Sequence, residues 1–234
     1  MELYEYARPD IMAGKTILYL HGFASSGQNG TVRAMTTLLP ETRIVAPDIP
    51  VEPEEALTFL KDLCAKENPD LIIGASMGGM YAELLRGFDR ILFNPAFFLA
   101  DTLQKNNGLG RQEFHNPRRD GQTSFLVTKG LLESFREVSS HCFENMPDNA
   151  SDPSSFGEMT EERDHVYGMF GTHDNFVTGT FDVFKKYYAN AIHFEGEHYM
   201  DDSVLLHSVL PVIERIDDIQ EKRSKPVMLI SLTD

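Results

Sequence analysis

The chain has 234 residues, 41% of them hydrophobic, and carries a formal net charge of −15. Such a composition fills one sizeable core, as expected of a single domain over residues 1–234, and the negative charge repels polyphosphate backbones, which argues against a nucleic-acid partner. The opening MELYEYARPD is too polar and acidic for a signal peptide, and no stretch approaches the roughly eighteen apolar residues of a membrane span.

Taken in chain order, MELYEY is compatible with an added edge strand. Thr16–His21 (TILYLH) and Arg43–Ala46 (RIVA) read as strands. In PEEALTFLKDLCAK, Pro53 suits a first helical position, and Leu57, Leu60 and Cys64 share one face. Cys64 and Cys142 lie far apart without CxxC spacing and read as free thiols, which points to a cytoplasmic location. Asp70–Gly74 (DLIIG), Arg90–Asn94 (RILFN), His165–Phe170 (HVYGMF) and Ala191–Phe194 (AIHF) complete the strands. Most are continuously apolar, the mark of parallel strands covered on both faces. Strand–helix alternation predicts an α/β fold with a mostly parallel sheet and ligands at the carboxyl ends of the strands. Some 70 residues between Asn94 and His165 break the rhythm. FFLADTLQ and TSFLVTKGLLESFREV read as helices around the polar loop NNGLGRQEFHNPRRDGQ, so residues 97–162 are expected to form a helical lid. Asp201–Glu221 reads as a closing helix that Pro211 must kink or split, and the apolar tail KPVMLISLTD has no functional account.

Gly74-Ala75-Ser76-Met77-Gly78 fits G-x-S-x-G, with an apolar strand before it and MYAELLRGF after it. That is the setting of a nucleophile elbow, where small neighbours let helix and strand nearly touch and the new helix aims its first amides at the serine. A glycine-rich turn carrying an ordinary serine is the bland alternative. A phosphate loop fits poorly, since no GK[ST] follows.

An activated serine needs a base oriented by a carboxylate, which in this topology follow as acid, then histidine, each after its own strand. Asp174 falls just past HVYGMF and His198 just past AIHF. Among the rivals, His173 precedes the last strand, Glu197 adjoins His198 and points away from it, and Asp164 sits at the wrong end of its strand. The remaining histidines show no paired ligand spacing, so neither a metal nor a cofactor is expected. The Met77 amide supplies one oxyanion donor and the Phe23 amide, after the first strand, the second. His21 is read as structural. In the lid, Phe97, Phe98, Leu99, Phe125, Leu126, Leu131 and Phe135 either line an acyl pocket or pack the lid itself, with packing favoured for most. Arg118, with Arg111 and Arg119, is either a solvated cluster or a clamp for an anionic substrate group.

The segments LYLHGFASS, APDIP, GASMGGMYAELL, FNPA, GTHDNFV, FEGEHYM and LPVIERI resemble, in the same order, the YqiA-type esterases, small bacterial members of the α/β-hydrolase superfamily. The resemblance covers both ends of the chain and is poor from about Phe97 to Glu162. It implies a three-layer α/β-hydrolase fold with a shortened sheet and a triad of Ser76, Asp174 and His198 that hydrolyses small acyl esters through an acyl-enzyme. The same residues leave open a thioesterase, an amidase, a carbon–carbon bond hydrolase or a non-catalytic binding protein on this scaffold, and leave the oligomeric state undefined.

Overall fold

The computed structural model describes residues 2–106, 108–146 and 163–224. In chain order the elements begin with β1 (Thr16–Leu20), α1 (Gly30–Leu38), β2 (Arg43–Val45) and α2 (Pro53–Glu67). β3 (Leu71–Ala75), α3 (Met77–Leu84) and β4 (Arg90–Phe93) follow. An insert then carries α4 (Leu99–Lys105), β5 (Gly110–Glu113), β6 (Ser124–Val127) and α5 (Lys129–Ser140). The chain ends with β7 (Val166–Gly171), α6 (Thr180–Tyr187), β8 (Asn190–Phe194), α7 (Asp202–Val204) and α8 (Leu210–Ser224).

Six strands form one sheet in the order β2-β1-β3-β4-β7-β8, and each neighbouring pair is parallel. Their continuous apolarity is explained by burial on two sides. Leu18, Leu20, Ile72 and Leu92 face a core shared with α2, α3, α5 and α6, while Ile17, Tyr19, Ile73 and Phe93 face one shared with α1 and α8. The result is three layers, helix on sheet on helix. Strand order reverses between β1 and β3, and at such a switch the loops leaving the two carboxyl ends part and open a crevice.

Three expectations change. MELYEY adds no strand: Leu3–Tyr6 is a turn of 3-10 helix, because its amides bond locally, Glu5 N to Glu2 O and Ala7 N to Tyr4 O. The insert is not wholly helical. Ser124–Val127 pairs antiparallel with Gly110–Glu113, so the first residues of TSFLVTKGLLESFREV form a hairpin strand and the helix starts only at Lys129, capped by the Thr128 side chain. The polar GRQE partner carries no apolar pattern to announce this pairing. The closing helix is interrupted upstream of Pro211, not at it. Leu205–Val209 is a π-turn in which Leu210 N donates to Leu205 O, and that wider turn accommodates a proline ring whose partner carbonyl would otherwise clash. Residues 147–162 of the polar connector and 225–234 of the tail lie outside the described residues. Both cysteines are free, and no described helix is long and apolar enough to cross a membrane.

α3 begins in near contact with two strands. A Cβ on Gly78 would lie 2.0 Å from the Leu20 carbonyl oxygen, and one on Gly74 would lie 2.2 Å from the Gly78 carbonyl oxygen. Both opposing atoms are backbone and cannot rotate away. Gly78→Ala is therefore expected to destabilise the fold by about 3 kcal/mol, read as a lowered denaturant midpoint. Gly130→Ala, where a Cβ would find only Thr128 Oγ1 at 3.5 Å, should leave the midpoint unchanged or raise it. Equal tolerance of both changes would contradict the close-approach account.

Candidate active site

Ser76 stands between β3 and α3 with φ 54° and ψ −114°. A residue with a Cβ holds such a conformation only where its surroundings over-determine it. Here Ser76 N donates to Phe93 O at 2.9 Å, and Ser76 O accepts from Gly79 N at 2.9 Å, Ala96 N at 3.0 Å and Met80 N at 3.2 Å. Both backbone groups are thus held, and the Cβ is carried off the carboxyl end of the sheet.

There it meets two residues from distant parts of the chain. His198 Nε2 lies 3.0 Å from Ser76 Oγ, and His198 Nδ1 lies 2.8 Å from Asp174 Oδ2. A carboxylate only accepts, so Nδ1 carries the proton and Nε2 is free to accept from the serine hydroxyl. The second carboxylate oxygen, Oδ1, accepts from the amides of Phe176 at 2.8 Å and Val177 at 3.0 Å. Burial pushes the Asp174 carboxyl upward, but the bond from His198 and the amides of Val177 and Phe176 outweigh it and hold the group below its ordinary range. The loops carrying the two residues are laced together, Thr172 N to Phe194 O and His173 N to Gly196 O, both at 2.9 Å.

Asn94 ties this arrangement to the sheet, a role its sequence position did not announce. Its side chain, buried at the end of β4, donates to the carbonyls of Glu197 at 3.0 Å and His198 at 3.1 Å and accepts from Gly171 N at 2.8 Å. One amide therefore grips both the His198 loop and the start of the Asp174 loop. An asparagine at a strand's carboxyl end, just before a proline, was the available signal.

On the other wall, Gly22 approaches the serine closely; a Cβ on it would sit 3.4 Å from Ser76 Cβ. The next amide, Phe23 N, and the Met77 amide at the start of α3 have no acceptor among the described residues. His21 fixes the loop that carries Phe23. Its Nδ1 donates to Gly22 O at 2.8 Å, and its Nε2 accepts from Ile49 N at 3.0 Å, which dictates the neutral ring. Burial pushes the His21 imidazole down to about 4.

These groups face a cleft of about 840 Å³ lined by both loops, the start of α1, His115 and Asn116 of the insert, and residues 198–203. Phe176 and Tyr199 flank His198, with ring centroids 5.0 and 5.4 Å away, and both are exposed at the mouth. The sequence expectations for substrate contacts do not match this lining. Phe97 is buried against Phe143, and Phe98 is exposed elsewhere. Arg118 points inward, where its guanidinium clamps Asp120, donates to Ile49 O at 3.2 Å and covers the Phe114 ring. Arg111 pairs with Glu113, and Arg119 donates to Ala46 O. None of the three reaches the cleft, whose lining holds no Lys or Arg but does hold Asp201 and Asp202. His173 sits on the rim, bonded to Glu195. Among the described residues no group of three His, Cys, Asp or Glu side chains is placed to hold a metal ion.

Comparison with known proteins gives the family and the fold. Residues 16–202 match the family described as "Uncharacterised protein family (UPF0227)". Est1E from Butyrivibrio proteoclasticus with ferulic acid bound superposes with a TM-score of 0.55 at 14% identity, over 92% of this chain and 91% of that one. A second structure of Est1E gives a TM-score of 0.51 at 15% identity, over 93% and 91%. Identities this low carry the fold alone, and the fold is that of the α/β hydrolases.

The buried neutral His21 has a consequence for stability. The unfolded ring titrates near 6.5 and the folded ring near 4, so between these values the unfolded chain binds the extra proton. Stability from this residue is complete above pH 6.5 and falls as pH drops toward 4, by about 3 kcal/mol in all. Chemical denaturation across that window should show the loss in the wild type and not in His21→Gln. Parallel curves would refute the assignment.

Proposed function

The chain belongs to the UPF0227 family of YqiA-like esterases, and on that premise we propose that it is a serine esterase in which Ser76, His198 and Asp174 form the catalytic triad. The observation that carries the reading is the unbroken row of hydrogen bonds from Ser76 Oγ through both ring nitrogens of His198 to a carboxylate held by two amides.

Ser76 Oγ attacks the carbonyl carbon of a bound ester as its proton passes to His198 Nε2. Asp174 holds the ring in the required tautomer and stabilises the imidazolium that forms. The carbonyl oxygen, now negative, takes hydrogen bonds from the Phe23 and Met77 amides, and α3 adds the positive end of its dipole. His198 then returns the proton to the leaving alcohol, leaving an acyl group on Ser76. Water, deprotonated by the same nitrogen, repeats the sequence and releases the acid.

The cleft also supports a substrate class. Its volume suits a small acyl ester, and the exposed Phe176 and Tyr199 rings offer apolar contact beside His198. With Asp201 and Asp202 on the lining and no cation there to offset them, a carboxylate-bearing substrate meets repulsion without a partner. Neutral esters are the fitting class.

Hydrolysis of p-nitrophenyl acetate tests this reading. The wild type should turn it over and discriminate against an ester of similar size bearing a free carboxylate. Asp174→Asn should lower kcat by roughly 10⁴-fold while changing KM little, because the wrong tautomer then faces the serine. An Asp174→Asn enzyme as fast as the wild type would rule the triad out.

A further inference from the structure

The insert between β4 and β7 reaches back onto the loop after β1. That loop carries the Phe23 amide, and Ala24, directly behind it, sits at φ 56°, a left-handed conformation that a residue with a Cβ avoids unless held. Within the loop itself, Ser25 N donates to Gly22 O at 3.2 Å, His21 Nδ1 donates to the same carbonyl, and Asn29 Nδ2 donates to Ser26 O at 3.0 Å, but none of these bonds engages the Ala24 backbone.

The turn joining β5 to β6 supplies further ties. His115 N donates to Ala24 O at 2.8 Å, on the strained residue itself. Ser26, fully buried, donates from Oγ to Pro117 O at 2.7 Å, and Asn116 Nδ2 donates to Ser25 Oγ at 3.2 Å. The Asp48 carboxylate accepts from Gly27 N at 2.8 Å and from Arg119 N at 2.6 Å, bridging the β1 loop and the insert. On the far side of the same peptide, the Phe23 ring packs edge-on against Phe125 of β6 and Phe135 of α5, at 5.3 and 6.3 Å. The insert thus grips the Phe23 side chain and the three residues that follow it.

We propose that the insert is a brace for the oxyanion hole: Ser26, Asn116 and Asp48 are positioning residues that keep Ala24 left-handed and so aim the Phe23 amide at the substrate oxygen. The proposal rests on the reading of Ser76 as nucleophile and goes beyond it. The insert then acts on the transition state. Loosening the brace tilts one donor of the pair, which weakens the grip on a developing negative oxygen while leaving the neutral ester bound as before.

The test uses the full-length chain with p-nitrophenyl acetate as substrate and benzeneboronic acid as probe, since the boronate forms a tetrahedral adduct on a serine oxygen. Ser26→Ala should lower kcat about tenfold to a hundredfold with KM changed less than about twofold. The boronate Kd should rise by the same factor as kcat falls. Asn116→Ala, at a half-buried position, should show a several-fold fall in kcat with an equal rise in boronate Kd; because Asn116 also lines the cleft, that paired change rather than KM decides the matter if Ser26→Ala fails to fold. A merely structural role for the brace predicts a lowered melting temperature with kcat and boronate affinity intact. That result, or a change confined to KM, overturns the proposal while the serine reading stands. A wild type that neither hydrolyses the ester nor binds the boronate overturns both.

Discussion

Helix α3 starts where β1 and β3 leave it almost no room, and Gly74 and Gly78 are the residues that permit the approach. Because helix and strand nearly touch, the one residue between them is forced to φ 54°, and that residue is Ser76. Four backbone bonds hold the turn, each worth roughly 1 kcal/mol, against a conformational strain of about 1–3 kcal/mol. The fold therefore sustains the strain comfortably. In return the hydroxyl is lifted clear of the sheet at the switch point, where loops from four other strands converge. The position of each other group in the cleft is defined relative to this turn.

Two anchors then complete the geometry from opposite sides. Asn94 holds the backbone of the Asp174 and His198 loops from below, so that an imidazole and a carboxylate supplied by separate crossovers arrive in hydrogen-bond register. His21 and Asp48 hold the β1 loop from the other wall, His21 through Ile49 and Asp48 through Gly27. In both cases a buried polar side chain satisfies backbone groups that a loop would otherwise leave unpaired, which costs more than the bond itself is worth when broken. The insert extends the same logic, since its hairpin turn docks on the β1 loop through backbone and side-chain bonds alike.

The sheet was legible because parallel strands buried on both faces are continuously apolar. Runs such as TILYLH and DLIIG have no competing reading, and the six strands emerged within a residue or so of their observed ends. Ser76, Asp174 and His198 were legible as positions because strand order dictates which loop ends share one edge of the sheet. Their adjacency is geometric; the roles given to them remain a proposal. The insert was opaque for an equally physical reason. GRQE and SFLV are short, one is polar, and Leu126 is exposed, so hairpin pairing left no pattern of period two strong enough to override the helical signal of the residues that follow. Arg118 misled because a run of arginines in a polar loop looks solvated, whereas the partners that bury it, Asp120 and Ile49 O, lie in a turn and in a remote segment that local reading does not join. For Asn94 the local signal, an asparagine ahead of a proline at a strand's carboxyl end, marks a special position but does not say that three backbone groups from two other loops converge on its amide.

The account comes down to whether Ser76 Oγ is a nucleophile. Intact-mass spectrometry after brief exposure to a fluorophosphonate, followed by peptide mapping, reads this directly. The account requires one covalent adduct on the wild type, located on Ser76, and none on Ser76→Ala. An unmodified wild type, or an adduct that persists on another serine when Ser76 is removed, would contradict it.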